Sequence, residues 1–171
     1  VRGQASRVSG VIRLRVMQEF DTLAHEGGHA LENRFKKALE AVKQRHASEL
    51  TPLASPGPDA LSEGFAEWFR RYVTNPVASH RTAPGFEADF EAFIGAQDAA
   101  MLASLKEIRD GYQTWLRAPS GGVVAGSLAT TVKPGLIGSV MRTIKDSGFK
   151  NTIQAWIDKL YTTVFDDLHP I

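Results

Sequence analysis

The sequence contains no cysteine, and this absence excludes several kinds of site at once. Disulfide bonds, cysteine nucleophiles and structural zinc sites built from thiolates all require that residue. A chain of 171 residues is long enough to bury a core without such cross-links. We therefore expect any metal site in this chain to serve chemistry rather than stability.

A large excess of one charge and a long apolar run are also missing. The 20 basic and 19 acidic residues leave a net charge of +1, which gives no electrostatic basis for binding nucleic acid. No apolar run approaches the length that crosses a bilayer, and no signal peptide is recognisable. We therefore expect neither a nucleic-acid partner nor a membrane partner, and the sequence is compatible with the cytoplasm or a virion.

Apolar residues recur mostly at helical spacing, which predicts a mainly α fold. Residues 10–17 instead alternate apolar residues with Arg and Gly, and we predict a short strand there, within at most a small strand pair. The first predicted helix begins at residue 21 and ends between residues 46 and 50. The other predicted helices occupy 59–73, 86–93, 98–115, 137–144 and 153–164. Three prolines predict a loop at 51–58, and 77–85 is predicted as a linker.

The run His25-Glu26-Gly27-Gly28-His29 is the candidate site within the first long helix. Residues four apart lie on the same face of a helix, so both imidazoles can occupy two corners of a zinc tetrahedron. Glu26 is placed instead to accept a proton from a water at the metal. Each internal glycine costs about 1 kcal/mol relative to Ala, and a helix tolerates this where another backbone approaches closely. The alternative is a polar helix face that matches the pattern by accident.

Two carboxylates one turn apart on the second helix, Glu63 and Glu67, complete the predicted site. No third histidine follows His29 closely, which disfavours a three-histidine arrangement. We therefore predict that Glu63 is the third zinc ligand. Glu67 is predicted to accept the free ring N–H of a ligand histidine, and the alternative is that it pairs with Arg70 or Arg71 on the surface.

The arrangement His25-Glu26-x-x-His29 followed by Glu63-x-x-x-Glu67 resembles the gluzincins, a group of zinc peptidases that includes the thermolysin-like enzymes. The run from Glu63 to Ala66 is similar to the Glu-Gly-Phe-Ala run of their aminopeptidase branch. Residues 72–76 resemble, more loosely, metallopeptidase-like segments of large phage and mobile-element polyvalent proteins. The gluzincin resemblance covers about residues 21–73 and implies hydrolysis of a peptide or protein substrate, with Glu26 as general base.

The resemblance implies a zincin-like helical core, which we assign to residues 1–117. Residues 118–171 begin with a stretch rich in Gly, Ser, Thr and Ala, and are predicted to be a linker and a C-terminal helical extension. Tyr72 and His80 are candidates for stabilising an oxyanion, with a structural or exposed role as the alternative for each. Since the sequence begins with Val1, we expect the chain to belong to a larger polypeptide or assembly.

Two features of the sequence depart from the gluzincin pattern. Glu63 follows His29 by 34 positions, a longer gap than in thermolysin-like enzymes. Gluzincins usually place a multi-stranded sheet before the histidine helix, and only about twenty residues precede that helix here. A structural or docking module that keeps the fold without catalysis is therefore the alternative function, and a self-processing domain is a third.

Overall fold

The computed structural model describes residues 2–117, 158–160 and 163–164, and in this part of the chain the fold is mainly α-helical with no strand. The helices divide into a long first helix, two short helical turns after it, and four helices that complete the bundle. They are α1 (Arg2–Arg45), α2 (Ala47–Leu50), a 3-10 helix (Thr51–Leu53), α3 (Ala60–Thr74), α4 (Pro76–Thr82), α5 (Pro84–Gln97) and α6 (Ala99–Arg117). None of the described helices is long and apolar enough to cross a membrane.

The predicted strand at 10–17 is wrong, because these residues belong to α1. Ile12 and Val16, which suggested an alternation of period two, are also four positions apart, a spacing that an α-helix accommodates equally well. No proline interrupts the chain between this stretch and the histidines. The helix therefore continues without a break into the segment that carries His25 and His29.

The helix α1 changes direction at Lys36, whose backbone angles are φ 40° and ψ −120°. A positive φ is unfavourable for a residue with a Cβ atom, so this position carries local backbone strain. Because the kink turns the helix axis, the faces of α1 before and after Lys36 do not follow one continuous helical period. Lys43, in the segment after the kink, is buried with 3% of its surface exposed.

The elements after α1 follow the predicted order, with one correction. The predicted helix at 59–73 is observed as α3, and Asp98 caps α6 by accepting a hydrogen bond from the backbone N–H of Met101 at 2.8 Å. The predicted linker at 77–85 is wrong over most of its length, because Pro76 begins α4 instead of ending helical structure. Proline is favourable at the first position of a helix, and Asn75 caps α4 by accepting from Ala78 N–H at 3.1 Å.

Aromatic side chains from α3 and α5 form the centre of the core. Phe65, Trp68 and Phe69 of α3 are fully buried, as are Phe86 and Phe90 of α5. The ring centroids of Trp68 and Phe86 lie 4.6 Å apart with the planes nearly perpendicular, an edge-to-face arrangement that stabilises aromatic pairs. The helix α3 thus has one face in the aromatic core and presents its first turn, with Glu63, towards α1.

Part of the predicted C-terminal extension packs on this core. Leu160 and Val164 are fully buried in the same hydrophobic cluster, and Lys159 forms an ion pair with Glu107 of α6. Residues 158–160 and 163–164 are helical, which agrees with the predicted last helix where it is described. The Gly-rich stretch that begins the extension and the predicted helix at 137–144 lie outside the described residues.

Candidate metal centre

Three side chains from two helices converge at one end of the α1–α3 interface. On α1 the rings of His25 and His29 face each other edge to face, with centroids 5.1 Å apart. Glu63, in the first turn of α3, places Oε2 at 3.6 Å from His25 Nε2 and Oε1 at 3.6 Å from His29 Nε2. One ligand atom from each residue lies within 4.8 Å of the other two, so the triad could hold a metal ion.

The donor set fits a zinc ion in its chemistry. Zinc binds imidazole nitrogen and carboxylate oxygen, and catalytic zinc sites combine three protein ligands with one open position. Both histidines direct Nε2 towards the carboxylate of Glu63, so the three candidate donor atoms point into a common space. The histidine side chains are each 28% exposed and the Glu63 side chain is 43% exposed, so solvent reaches all three.

Close packing at Gly28 brings the two ligand-bearing helices together. A Cβ atom at this position would lie 2.7 Å from the Cα of Ala66 on α3, well inside the van der Waals distance. At Gly27 a Cβ would instead meet the ring edge of Phe69 at 3.3 Å and the side chain of Val164 at 3.8 Å. The expectation that a glycine in this helix permits a close backbone approach is confirmed at Gly28.

A second glycine fixes the start of α3. A Cβ atom at Gly64 would overlap the carbonyl group of Leu50, the last residue of α2. The turn that follows α2 therefore lies directly against the backbone next to Glu63. This contact holds the first turn of α3 in place, and with it the carboxylate that faces the two histidines.

A groove of about 420 Å³ extends from His25 along the preceding turns of α1. Gln18, Asp21, Thr22 and His25 line it on one side, and Arg70 of α3 lines it on the other. The groove is open to solvent and mixed in polarity. Glu26, which follows His25, is also exposed. The groove thus offers a molecule larger than water access to the His25 side of the triad.

Comparison of the chain with protein-family models, with curated proteins and with solved structures finds no match. The resemblance to the gluzincins therefore depends on the motif residues alone. The His-His-Glu triad is a structural finding, whereas the identity of the metal and the activity are proposals.

Glu67 pairs with two arginines. Arg70 donates two hydrogen bonds to its carboxylate, at 2.8 and 2.7 Å, and Arg71 donates one at 3.0 Å. Partial burial alone would raise the pKa of Glu67, but the hydrogen bonds and charges of Arg70 and Arg71 hold it below its ordinary value of 4.5. Arg70 also donates to Asp21 at 3.2 Å, which ties α3 to α1 beside the groove.

Two residues that were not predicted as site residues, Glu32 and Ser62, lie next to His29, and a third, Lys43, contacts Glu32. Glu32 Oε2 is 3.4 Å from His29 Nδ1, and Ser62 Oγ is 3.5 Å from the same nitrogen. Ser62 donates to Glu32 Oε2 at 2.5 Å, and the buried ammonium of Lys43 donates to Glu32 Oε1. The spacing of three between His29 and Glu32 was the one signal available, since residues three apart are neighbours on a helix.

The two oxyanion candidates are engaged elsewhere. Tyr72 is fully buried, and its hydroxyl donates to Glu91 at 2.8 Å. Burial and the hydrogen bond to Glu91 raise the pKa of Tyr72 well above its ordinary value of 10.0. Tyr72 follows Glu63 by nine positions, a rise of about 13 Å along α3. His80 is 70% exposed on α4 and pairs with Glu87, with Nδ1 and Oε1 3.5 Å apart.

Proposed function

We propose that this chain is a zinc-dependent peptidase domain in which His25, His29 and Glu63 hold the metal. The observation that carries the proposal is the convergence of these three side chains from two helices, with ligand atoms within 4.8 Å of one another. Two imidazoles and one carboxylate form the ligand set of the gluzincins, and this is the group that the two motifs resemble.

Zinc in this site would polarise the carbonyl of a peptide bond and favour ionisation of an attacking water. Glu26 accepts the proton of that water as it attacks, and then delivers the proton to the nitrogen of the leaving amine. An exposed carboxylate that adjoins a ligand histidine on the same helical turn is suited to this exchange with a bound substrate. Histidine nitrogens and the Glu63 carboxylate hold the metal and take no part in the proton transfer.

The groove beside His25 supports the proposal by offering space for part of a peptide next to the metal. The groove is open to solvent, and His25 is among the residues that line it. Tyr72 and His80 have no role in the proposed chemistry, because the Tyr72 hydroxyl is committed to Glu91 in the core and His80 pairs with Glu87. Glu67 has a structural role in this scheme, as the partner of Arg70 and Arg71.

Replacing Glu26 with glutamine tests the proposed chemistry. The variant should bind zinc as the wild type does, because Glu26 is not a ligand. Its rate of cleavage of a fluorescently labelled casein should fall by about 10²–10⁴-fold, the contribution typical of a general base. The control is Asp110→Asn, an exposed carboxylate on α6 that should leave both zinc binding and cleavage unchanged. Equal activity of Glu26→Gln and the wild type would contradict the mechanism.

A second candidate function is metal binding without hydrolysis, within a larger phage or mobile-element protein. The observation that favours it is the absence of any strand among the described residues, because gluzincins align their substrate along the edge of a sheet. Zinc bound at one per chain with no cleavage, with or without a chelator, would favour this second function. Cleavage that is abolished by the chelator and restored by zinc would favour the peptidase.

A further inference from the structure

A buried cation, Lys43, pairs with Glu32, the carboxylate that neighbours His29. The Lys43 side chain is 3% exposed, although an ammonium group is among the most costly groups to remove from water. The ammonium pairs with the carboxylates of Glu32 and Glu40, with Nζ 2.7 Å from Glu40 Oε2. It also lies over the ring of Phe65, 5.9 Å from the ring centroid. Of the two carboxylate oxygens of Glu32, Oε1 accepts from Lys43 and Oε2 accepts from Ser62.

The geometry of Glu32 matches the requirement of a metal-binding histidine. His29 directs Nε2 towards Glu63, so the proton of the neutral imidazole has to lie on Nδ1 for Nε2 to bind a metal. Glu32 Oε2 lies 3.4 Å from Nδ1, where it would accept the proton of that tautomer. A carboxylate there stabilises the metal-binding tautomer and fixes the orientation of the ring.

Lys43 and Ser62 in turn fix the position of Glu32. Lys43 donates to Oε1 of Glu32, and Ser62 donates to Oε2 at 2.5 Å. Ser62 is the residue just before Glu63. A free glutamate side chain would populate several rotamers, whereas contacts on both oxygens leave this carboxylate one orientation. The same serine links the carboxylate of α1 to the first turn of α3, where the third ligand lies.

We propose that Glu32, held by Lys43 and Ser62, is the positioning residue for His29 and raises the affinity of the site for metal. The sequence pattern predicted this role for Glu67, but the Glu67 carboxylate accepts from Arg70 and Arg71. The inference rests on the metal site of the proposed function and is independent of its hydrolytic step.

The test measures the zinc dissociation constant by competition with a chromophoric chelator at pH 7. Glu32→Gln should bind zinc about 10–100-fold more weakly than the wild type, the loss typical when the carboxylate partner of a ligand histidine is removed. The control is Glu40→Gln, which also removes a carboxylate from Lys43 but one that is 45% exposed. This control should keep the wild-type zinc affinity.

Two further measurements separate positioning from a general effect on folding. Ser62→Ala leaves the Glu32–Lys43 pair intact and should weaken zinc binding several-fold without loss of helical circular dichroism. The absorption spectrum of bound Co²⁺ should change in Glu32→Gln, because the imidazole of His29 is reoriented. A structural role alone would lower the melting temperature of the variants and leave zinc affinity and the Co²⁺ spectrum of the folded protein unchanged.

The outcomes distinguish this inference from the function on which it rests. Wild-type protein that binds no zinc would contradict the proposed function and this inference together. Wild-type protein that binds zinc, with folded Glu32→Gln and Ser62→Ala variants of the same affinity, would overturn only the inference. A loss of affinity in both variants, with Glu40→Gln unaffected, is the result that we expect.

Discussion

Replacing Gly28 with alanine perturbs the contact that brings the two ligand-bearing helices together. The new methyl carbon would lie 2.7 Å from Ala66 Cα and 3.3 Å from Ala66 Cβ. Non-bonded carbon atoms prefer about 3.5–4.0 Å, so α1 and α3 have to separate by about 1 Å at this point. Because the obstacle is the backbone of α3, a change of side-chain rotamer cannot relieve it.

Two opposing effects determine the change in the free energy of unfolding. Alanine is favoured over glycine inside a helix by about 1 kcal/mol. Forcing an extra methyl group into a packed interface costs about 1–3 kcal/mol, and contact with backbone favours the upper part of that range. We therefore expect Gly28→Ala to be about 1–2 kcal/mol less stable than the wild type.

The same displacement should weaken metal binding. His25 and His29 lie on α1 and Glu63 lies on α3, so a separation of the helices moves the third ligand away from the other two. Metal–ligand distances are tolerated only within about 0.2 Å. We expect the zinc affinity of Gly28→Ala to fall by about tenfold or more, as when the orientation of a ligand is disturbed.

Gly27→Ala is the matched control, because its new methyl group would meet the ring edge of Phe69 at 3.3 Å rather than backbone. A small shift of that ring relieves the contact, so stability should stay within about 0.5 kcal/mol of the wild type, with the helix preference for alanine offsetting the repacking. Urea denaturation and the chelator competition measure the two quantities. If Gly28→Ala equals Gly27→Ala in both, the helices do not approach as closely as the structure indicates.

Two further predictions concern the backbone strain at Lys36 and the charge of Glu67. Lys36→Gly should stabilise the protein by about 1 kcal/mol, since glycine removes the cost of the positive φ. Lys37→Gly, in regular helix, should destabilise it by about 1 kcal/mol. Equal losses of unfolding free energy for the two variants in urea denaturation would contradict the kink. The lowered pKa of Glu67 contributes stability that is fully present above its ordinary value of 4.5 and is lost as the pH falls through the lower folded value. The free energy of unfolding of Glu67→Gln should therefore be lower than that of the wild type at pH 7 and decline less between pH 5 and pH 3, and parallel pH profiles would contradict this assignment.

The residues of the metal centre could be selected from the sequence because each helix carries its own pattern. His25 and His29 are four apart, and Glu63 lies near the start of a helix whose apolar stripe includes Phe65 and Phe69. The structure brings all three together in a triad that could hold a metal ion. What the pattern could not provide is the contact between the helices, which depends on the fit of Gly28 against Ala66.

The polar surroundings of His29 could not be predicted, because they depend on the kink in α1. Lys43 follows Lys36 by seven positions, so a regular helix would place it on the same face as that exposed lysine. In the kinked helix the Lys43 ammonium is instead buried between Glu32 and Glu40. A positive φ at a lysine has no signature in the sequence. The error at 10–17 has a different cause, since a spacing of four residues satisfies the periods of strand and helix alike.

The most direct test of the metal centre is the number of zinc ions bound per chain, measured on wild-type protein and on Glu63→Ala after dialysis against buffered zinc. Wild-type protein should bind one zinc per chain, and Glu63→Ala should lose most of it, because two histidines alone provide only two of the three protein ligands. Absence of zinc from the wild type, or full retention of zinc by Glu63→Ala, would contradict the His-His-Glu site.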